Sequence, residues 1–179
     1  MKGAAPPIEH YFDLGRLSQA EQSVTIAPDA QALARIASWT DVVAVTALTA
    51  EVALRKQSAS QFLAVFRLSA DIVQNCVASL EPMTTHIARD FTRVLHFAAA
   101  PYRLTLTPEP LDLTAEDGPE EIESLRFDLA GPVLEELVLA IDPYPRKPGV
   151  AFQPPEGVGV APERPDNPFA VLKSLKTPP

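Results

Sequence analysis

The chain has 179 residues, of which 46% are hydrophobic, and a formal net charge of −8. The length suits one domain with an extension. The hydrophobic content excludes a disordered protein, and the negative charge disfavours tight nonspecific RNA binding, which depends on basic surface. A single cysteine cannot form an internal disulfide, and we recognise neither a signal peptide nor an apolar run long enough to span a membrane. We therefore expect a cytoplasmic protein.

The first forty residues predict two short strands followed by a helix. Weak alternation over residues 8–15 and the β-branched run over residues 23–27 indicate the strands. Asp29 is a suitable N-cap, and apolar residues recur after it at the i, i+3 and i+4 spacing. The helix is therefore expected to begin at Asp29 and to continue to Trp39.

The middle of the chain predicts a mostly antiparallel sheet built from residues 42–97. Residues 42–54 and 62–75 alternate in part and are rich in β-branched and aromatic side chains, which indicates a hairpin of two long strands. Residues 85–97 fit a helix or a strand, and their Thr, Val and Phe content favours a strand. The expected faces are Val43, Val45, Ala47, Thr49 and Glu51 on the first strand, and Phe62, Ala64, Phe66, Leu68 and Ala70 on the second.

A further strand over residues 120–127 and a second helix, capped by Asp128, complete the predicted domain. The apolar spacing places one stripe of this helix against the sheet. The expected stripe is Leu129, Val133, Leu137 and Ile141, with Glu135 and Glu136 facing outward. The fold class is therefore α+β, a mostly antiparallel sheet with flanking helices and an extended Pro-rich C-terminal tail.

The tail divides the chain into a core domain over residues 1–142, a linker over 143–166 and a short amphipathic helix over 167–179. Seven prolines in residues 143–167 indicate a semi-rigid, extended linker. After it come an N-cap asparagine, a proline at the first helical position, an apolar face and two lysines near the end. We expect this helix to bind a partner, and packing on its own domain, where its lysines could face the acidic block, is an equally weighted alternative. The binding residues would be Asn167, Pro168, Phe169, Leu172, Lys173, Leu175 and Lys176.

No residue pattern in the chain predicts a catalytic, cofactor or metal site. Cys76 is expected to be a half-buried structural residue at a strand end, because its sequence neighbours supply no cation to lower its pKa. Cys76→Ser should therefore cost little stability. His10, His86 and His96 lack metal-ligand spacing, with or without Cys76. The acidic loop of Glu116, Asp117, Glu120, Glu121 and Glu123 is expected to be solvated.

Three segments together resemble the YceD family of large ribosomal RNA subunit accumulation proteins, over roughly residues 8–176. Residues 76–82 are similar to the family's Cys-x-x-Cys-Leu-x-Pro core, residues 128–143 to its final helix, and residues 167–176 to its ending. Ser79 stands where many members have the second cysteine, and residues 143–149 lack the further cysteines that many members carry. A cysteine-based zinc or redox site is therefore not available to this chain.

The resemblance implies a role in the synthesis, processing or stability of large-subunit ribosomal RNA and implies no known enzymatic activity. Residues 101–145 contain eleven acidic and two basic residues, a block that would suit a basic partner, although a solvated surface is the preferred interpretation of it. We expect a ribosomal protein or an assembly factor as partner, with ribosomal RNA contacted indirectly, and neither DNA nor a membrane.

Two alternatives remain open. One is an RNA-processing enzyme whose site is too dispersed to recognise, which would show as a deep pocket with convergent carboxylates. The other is an RNA-binding module whose basic residues converge on one face of the sheet. The residues that would form this basic face are Arg55, Lys56, Arg67, Arg89 and Arg93.

Overall fold

The fold is an antiparallel sheet with two helices packed against one face, described for residues 5–98 and 118–150 of a computed structural model. The fold class is α+β with a mostly antiparallel sheet, as predicted, and only two of its described elements are α-helices. In chain order the elements are β1 (Tyr11–Asp13), β2 (Gln22–Ile26), α1 (Ala30–Thr40), β3 (Ala44–Lys56), β4 (Gln61–Asn75), β5 (Pro82–Phe97), β6 (Glu120–Ile122), β7 (Arg126–Asp128) and α2 (Ala130–Ala140).

The main sheet has the order β2-β3-β4-β5-β6 and is antiparallel except for the parallel pairing of β6 with the end of β5. Its centre is a meander of three long strands, in which Glu51 lies opposite Arg67 and Arg67 opposite Asp90. The long hairpin over residues 42–75 and the choice of a strand for residues 85–97 are both confirmed.

The core lies between the sheet and the two helices. In β4 every second side chain from Phe62 to Ile72 is buried, because successive residues of a strand point to opposite faces. This includes the predicted face that begins with Phe62 and ends with Ala70. Phe66 also stacks on Phe91 of the neighbouring strand, with ring centroids 4.6 Å apart.

A β-bulge in β3 overturns the face predicted for that strand. The pairing with β4 shifts between Val45 and Ala47, so one extra residue is inserted and the alternation changes phase. Val45 is buried, whereas Ala47, Thr49 and Glu51 are exposed. The predicted grouping of Val45 with these three residues is therefore wrong, since alternation along a sequence does not reveal where a bulge interrupts it. Val43, which precedes the strand, is exposed as they are.

Helix α1 begins and ends close to the predicted positions. The Asp29 carboxylate accepts the N–H of Ala32 at 2.7 Å, as expected of an N-cap. At the other end Asp41 adopts a left-handed conformation, with φ 58°, and donates its N–H to the carbonyl of Ala37. Ile36 is fully buried, and the helix packs on β3.

Asp128 joins the start of α2 to the N-terminal segment. The N-cap position is Leu129, one residue after the predicted Asp128, and its side chain makes no capping hydrogen bond. The Asp128 carboxylate accepts the N–H of Ala130 at 3.0 Å and that of His10 at 2.7 Å. The helix packs on β4 and β5 through its predicted stripe, of which Leu129, Val133 and Leu137 are fully buried and Ile141 is half-buried. Neither helix of the described residues is long and apolar enough to cross a membrane.

Two predicted strands differ in the structure. Residues 8–15 form only the three-residue β1 and a 3₁₀ turn, and residues 120–127 form two strands that belong to different sheets. β6 joins the main sheet, whereas β7 pairs with β1. The chain turns between them, where the Ser124 hydroxyl accepts the N–H of Arg126 at 3.1 Å. Hydrophobic alternation marks a strand but does not mark such a turn.

Candidate functional site

The turn between β4 and β5 meets the segment that follows α2, and we call residues 76–81 and 142–147 together the clasp. The turn is closed by two hydrogen bonds, from the N–H of Cys76 to the carbonyl of Glu81 at 2.9 Å and from the N–H of Leu80 to the carbonyl of Cys76 at 2.8 Å. Leu80 is left-handed, with φ 60°. This conformation is unfavourable for a bulky side chain and indicates a local constraint.

Backbone and side-chain hydrogen bonds hold the two halves of the clasp together. The N–H of Val77 donates to the carbonyl of Pro145 at 2.9 Å. The amide nitrogen of Gln74, at the end of β4, donates to the carbonyl of Asp142 at 2.9 Å, while its buried oxygen has no partner among the described residues. Pro145 itself is buried. The first residues of the predicted linker are therefore held against the domain, and the three-part division of the chain remains a prediction.

Lys147 contacts the turn through both its backbone and its side chain. Its N–H donates to Sγ of Cys76 at 3.3 Å, and its ammonium lies 2.7 Å from the carboxylate of Glu81. The ammonium lowers the pKa of Glu81 through a hydrogen bond and its charge. An exposed ion pair of this kind stabilises a protein little, so we assign the joining of the clasp chiefly to the backbone hydrogen bonds.

Cys76 differs from its prediction in burial and in electrostatics. The side chain is fully buried, not half-buried, although it does follow the last residue of β4 as expected. Hydrogen bonds from the Ser79 side chain and then from the Lys147 N–H lower the pKa of the Cys76 thiol to about 6, while burial opposes them. The sequence could not show this donor, because Lys147 is 71 positions away.

Exposed apolar side chains surround the clasp. Val77 and Leu80 belong to the turn and are 41% and 77% exposed, and Tyr144 of the second half is 72% exposed. Leu139, in the last turn of α2, is 78% exposed. We call these four side chains the apolar patch. Large apolar groups are costly to leave in water, and their grouping around one junction is typical of an interaction surface.

The clasp does not fit a zinc ion. A structural zinc site uses four Cys or His ligands, whereas the clasp offers one thiol and two carboxylates. The Glu81 carboxylate is paired with Lys147, and that of Asp142 accepts the N–H of Tyr144. Within residues 5–98 and 118–150, no cluster of three or more His, Cys, Asp or Glu could hold a metal ion. His86 and His96 lie ten residues apart along β5, about 33 Å at strand spacing, so they cannot act together.

The five basic residues that the RNA-binding alternative would place on one face of the sheet are divided between its two faces. Arg55 and Arg67 lie on the open face, because Leu54 and Phe66 beside them point into the core. Arg89 and Arg93 lie on the helix side, where their pairing residues Leu68 and Ala64 are buried. Their guanidinium groups face the carboxylates of Glu136 at 3.8 Å and Glu135 at 3.2 Å. Lys56 lies over the ring of Phe62, 6.0 Å from its centroid.

Acidic residues do not form an enclosed site in the described part of the chain. Glu120, Glu121 and Glu123 are exposed, as expected, while Glu116 and Asp117 lie outside the described residues. An open groove of about 430 Å³ crosses the bare face of β2, β3 and β4 and includes Glu21, Glu51 and Arg67. It is a surface groove, so the deep pocket expected of an RNA-processing enzyme is not seen there.

The residues predicted to bind a partner are not among those that the structure describes. They are Asn167, Pro168, Phe169, Leu172, Lys173, Leu175 and Lys176. The apolar patch, by contrast, was not anticipated. Val77 and Leu80 belong to a motif noted for its cysteine, and nothing in the sequence indicates that this motif contacts residues 142–147.

A family model described as large ribosomal RNA subunit accumulation protein YceD matches residues 64–176, more than half of the chain. The chain belongs to the YceD family. The match begins within β4, later than the predicted resemblance over residues 8–176, and includes the clasp, α2 and residues 167–176. Both candidate binding segments therefore lie within the shared region. A search of curated proteins and a search of solved structures found no match.

Proposed function

We propose that this YceD family member is a non-enzymatic, cytoplasmic factor that promotes the accumulation of large-subunit ribosomal RNA during ribosome assembly by binding a protein partner. The family match carries the proposal, because the family is described by accumulation of this RNA and not by a reaction. A ribosomal protein or an assembly factor is the expected partner.

The charge distribution supports a protein partner over direct RNA binding. On the open face, Arg67 lies between Glu51 and Asp90 in one cross-strand row. On the helix side, Arg89 and Arg93 face glutamates of α2. Phosphate binding needs a continuous basic surface from which counterions are released, and these arginines share their surroundings with carboxylates. Ribosomal RNA is therefore contacted indirectly in this proposal.

The proposed binding segment is the C-terminal helix of residues 167–176. Phe169, Leu172 and Leu175 supply an apolar face for a groove of the partner, and Lys173 and Lys176 lie at its rim. Such a short helix is marginal alone in water, so its apolar face is stabilised only when another surface covers it.

A complementation experiment tests this proposal in cells that lack the native gene. The double variant Phe169→Ala and Leu172→Ala should lose accumulation of large-subunit ribosomal RNA, measured relative to small-subunit RNA, while its core domain stays folded and keeps the circular dichroism spectrum of the native chain. Ser174→Ala with Thr177→Ala is the matched control and should restore accumulation fully. Full accumulation with the apolar double variant would remove this segment from the proposed function.

An assay with purified components distinguishes the proposed partner-binding factor from the alternative of an RNA-processing enzyme. Incubation of the protein with precursor ribosomal RNA should leave the RNA length unchanged, since a partner-binding factor performs no chemistry. Cleavage that depends on protein concentration and persists through repurification would instead show an RNA-processing enzyme. Glu51→Gln would then test the groove on the open face.

A further inference from the structure

We propose that the C-terminal segment of residues 167–176 docks on the apolar patch of its own domain when no partner is bound. This inference deepens the proposed function and rests on it in part, because it names the surface from which the partner must displace the segment. The occupant is a segment of this chain outside the described residues, and the described part of the chain that leads to it ends at Val150, three residues after the clasp.

Leu80 gives the first argument for an occupant. Its side chain is 77% exposed, and its backbone has φ 60°, a conformation that glycine adopts with less strain. Exposure and strain both disfavour leucine at this position in the described fold. An apolar side chain kept in a strained turn is well placed to contact something beyond that fold. Tyr144, in the other half of the clasp, and Leu139, three residues before Asp142, are similarly exposed.

The path of the chain gives the second argument. After Lys147 the backbone turns, with the N–H of Val150 donating to the carbonyl of Lys147 at 3.3 Å, and Gly149 takes φ 77°. Val150 is thus six positions from Tyr144 of the patch. Residues 151–166 belong to the predicted linker, whose end-to-end distance lies between about 20–24 Å for a flexible chain and about 50 Å for a fully extended Pro-rich one. The segment therefore starts within reach of the patch.

Chemistry matches the two surfaces. Phe169, Leu172 and Leu175 recur at a spacing of three and can cover an apolar surface from one side of a helix. Asp142, exposed beside the patch, offers a carboxylate to Lys173 or Lys176. A short linker gives an effective concentration in the millimolar range, so even weak contact keeps the segment docked.

Hydrogen–deuterium exchange on the full chain tests the docking. The variant Phe169→Ala with Leu172→Ala should raise the exchange of residues 76–81 and 142–150 at least threefold, and Leu80→Gly or Tyr144→Ala should raise that of residues 169–176 similarly. Tyr11→Ala is the matched control, because Tyr11 is exposed beside β7 at the start of α2, and it should change neither region.

Three outcomes would overturn the docking. Exchange of the clasp that is unchanged by the double variant would show that the segment does not cover the patch. A protection that grows with protein concentration would assign the patch to a second copy of the chain. Exchange that rises equally in all elements would indicate general destabilisation. If docking holds while the double variant retains full RNA accumulation, this inference stands and the segment is removed from the proposed function.

Discussion

Two non-glycine residues of the described chain have positive φ, and their side chains differ in how well they tolerate it. Asp41 ends α1, where a left-handed residue is common and aspartate is among the more tolerant types. Leu80 has no such compensation, and its strained turn is kept closed by the hydrogen bonds with Cys76 and Glu81. The same backbone angle is therefore ordinary at one position and costly at the other.

Replacing these residues by glycine should stabilise the protein to different extents. We expect Leu80→Gly to raise the free energy of unfolding by about 1 kcal/mol, because left-handed strain of that order is relieved. Asp41→Gly should raise it by about 0.5 kcal/mol or less. Urea unfolding measures the free energy of unfolding of both glycine variants. Each variant also carries Phe169→Ala and Leu172→Ala, so that docking of the C-terminal segment does not contribute. Equal gains would contradict the assignment of strain to Leu80.

Titration of Cys76 should make stability depend on pH. Its pKa is lowered to about 6 in the fold from an ordinary value of 9.0, so the folded state holds the thiolate more favourably than the unfolded state. The contribution is complete above the unfolded value and is lost as the pH falls towards 6. The stability difference between the native chain and Cys76→Ser should thus widen from pH 6 to pH 9.

Urea midpoints at several pH values, together with ultraviolet absorbance of the thiolate, measure this effect. Near pH 6 the substitution should cost little, in agreement with the sequence-based expectation, and near pH 8 it should cost more. Parallel pH profiles for the two proteins would contradict the lowered pKa. Cys76→Ala serves as a second comparison, because it removes the acceptor of the Lys147 N–H altogether.

At the scale of the elements, an aspartate lies at the start of each helix, but the two aspartates differ in how many backbone N–H groups they accept. Asp29 accepts one N–H, from Ala32, within its own helix. Asp128 accepts the N–H of Ala130 in α2 and also that of His10, which lies 118 positions away. Loss of the second carboxylate therefore affects a long-range connection as well as a helix end.

Asp128→Ala should consequently be more damaging than Asp29→Ala. We expect a loss of about 2 kcal/mol for Asp128→Ala and about 1 kcal/mol for Asp29→Ala, in line with the cost of removing helix caps. Thermal and urea unfolding compare them. Glu135→Gln is a useful reference, because its exposed pairing with Arg93 should contribute less than about 1 kcal/mol. A reversed order of the two aspartates would show that the His10 contact is unimportant.

The sequence predicted elements whose pattern is local. The α2 stripe and the β4 face follow from spacing alone, and the aspartates at the helix starts, Asp29 and Asp128, are recognisable. It did not predict the bulge at Val45, because tertiary packing decides where an extra residue fits. The clasp and its apolar patch also escaped prediction, since they depend on contacts between residues about seventy positions apart. The family resemblance indicated both segments without relating them in space.

For the molecule as a whole, the departure from the family's cysteine pattern has a direct analytical consequence. Cys76 is the one thiol of the chain, and the clasp is joined by hydrogen bonds and an ion pair. We expect the purified protein to contain less than about 0.1 zinc per chain, since a structural site needs about four ligands. A chelator should leave the melting temperature unchanged. Stoichiometric zinc that is lost in Cys76→Ser would contradict this.

The pairing of β1 with β7 has a consequence for how the protein is made. Tyr11–Asp13 can find its partner strand only after Arg126–Asp128 has left the ribosome. His10 and Asp128 are separated by 118 positions, so at an elongation rate of about 5–20 residues per second the N-terminal strand remains unpaired for roughly 6 to 24 seconds. The hairpin of β3 and β4 can form during this interval, whereas the N-terminal segment and the clasp close last. A nascent chain stalled before residue 126 should therefore be digested at its N-terminus by a protease, while one that has fully emerged should resist.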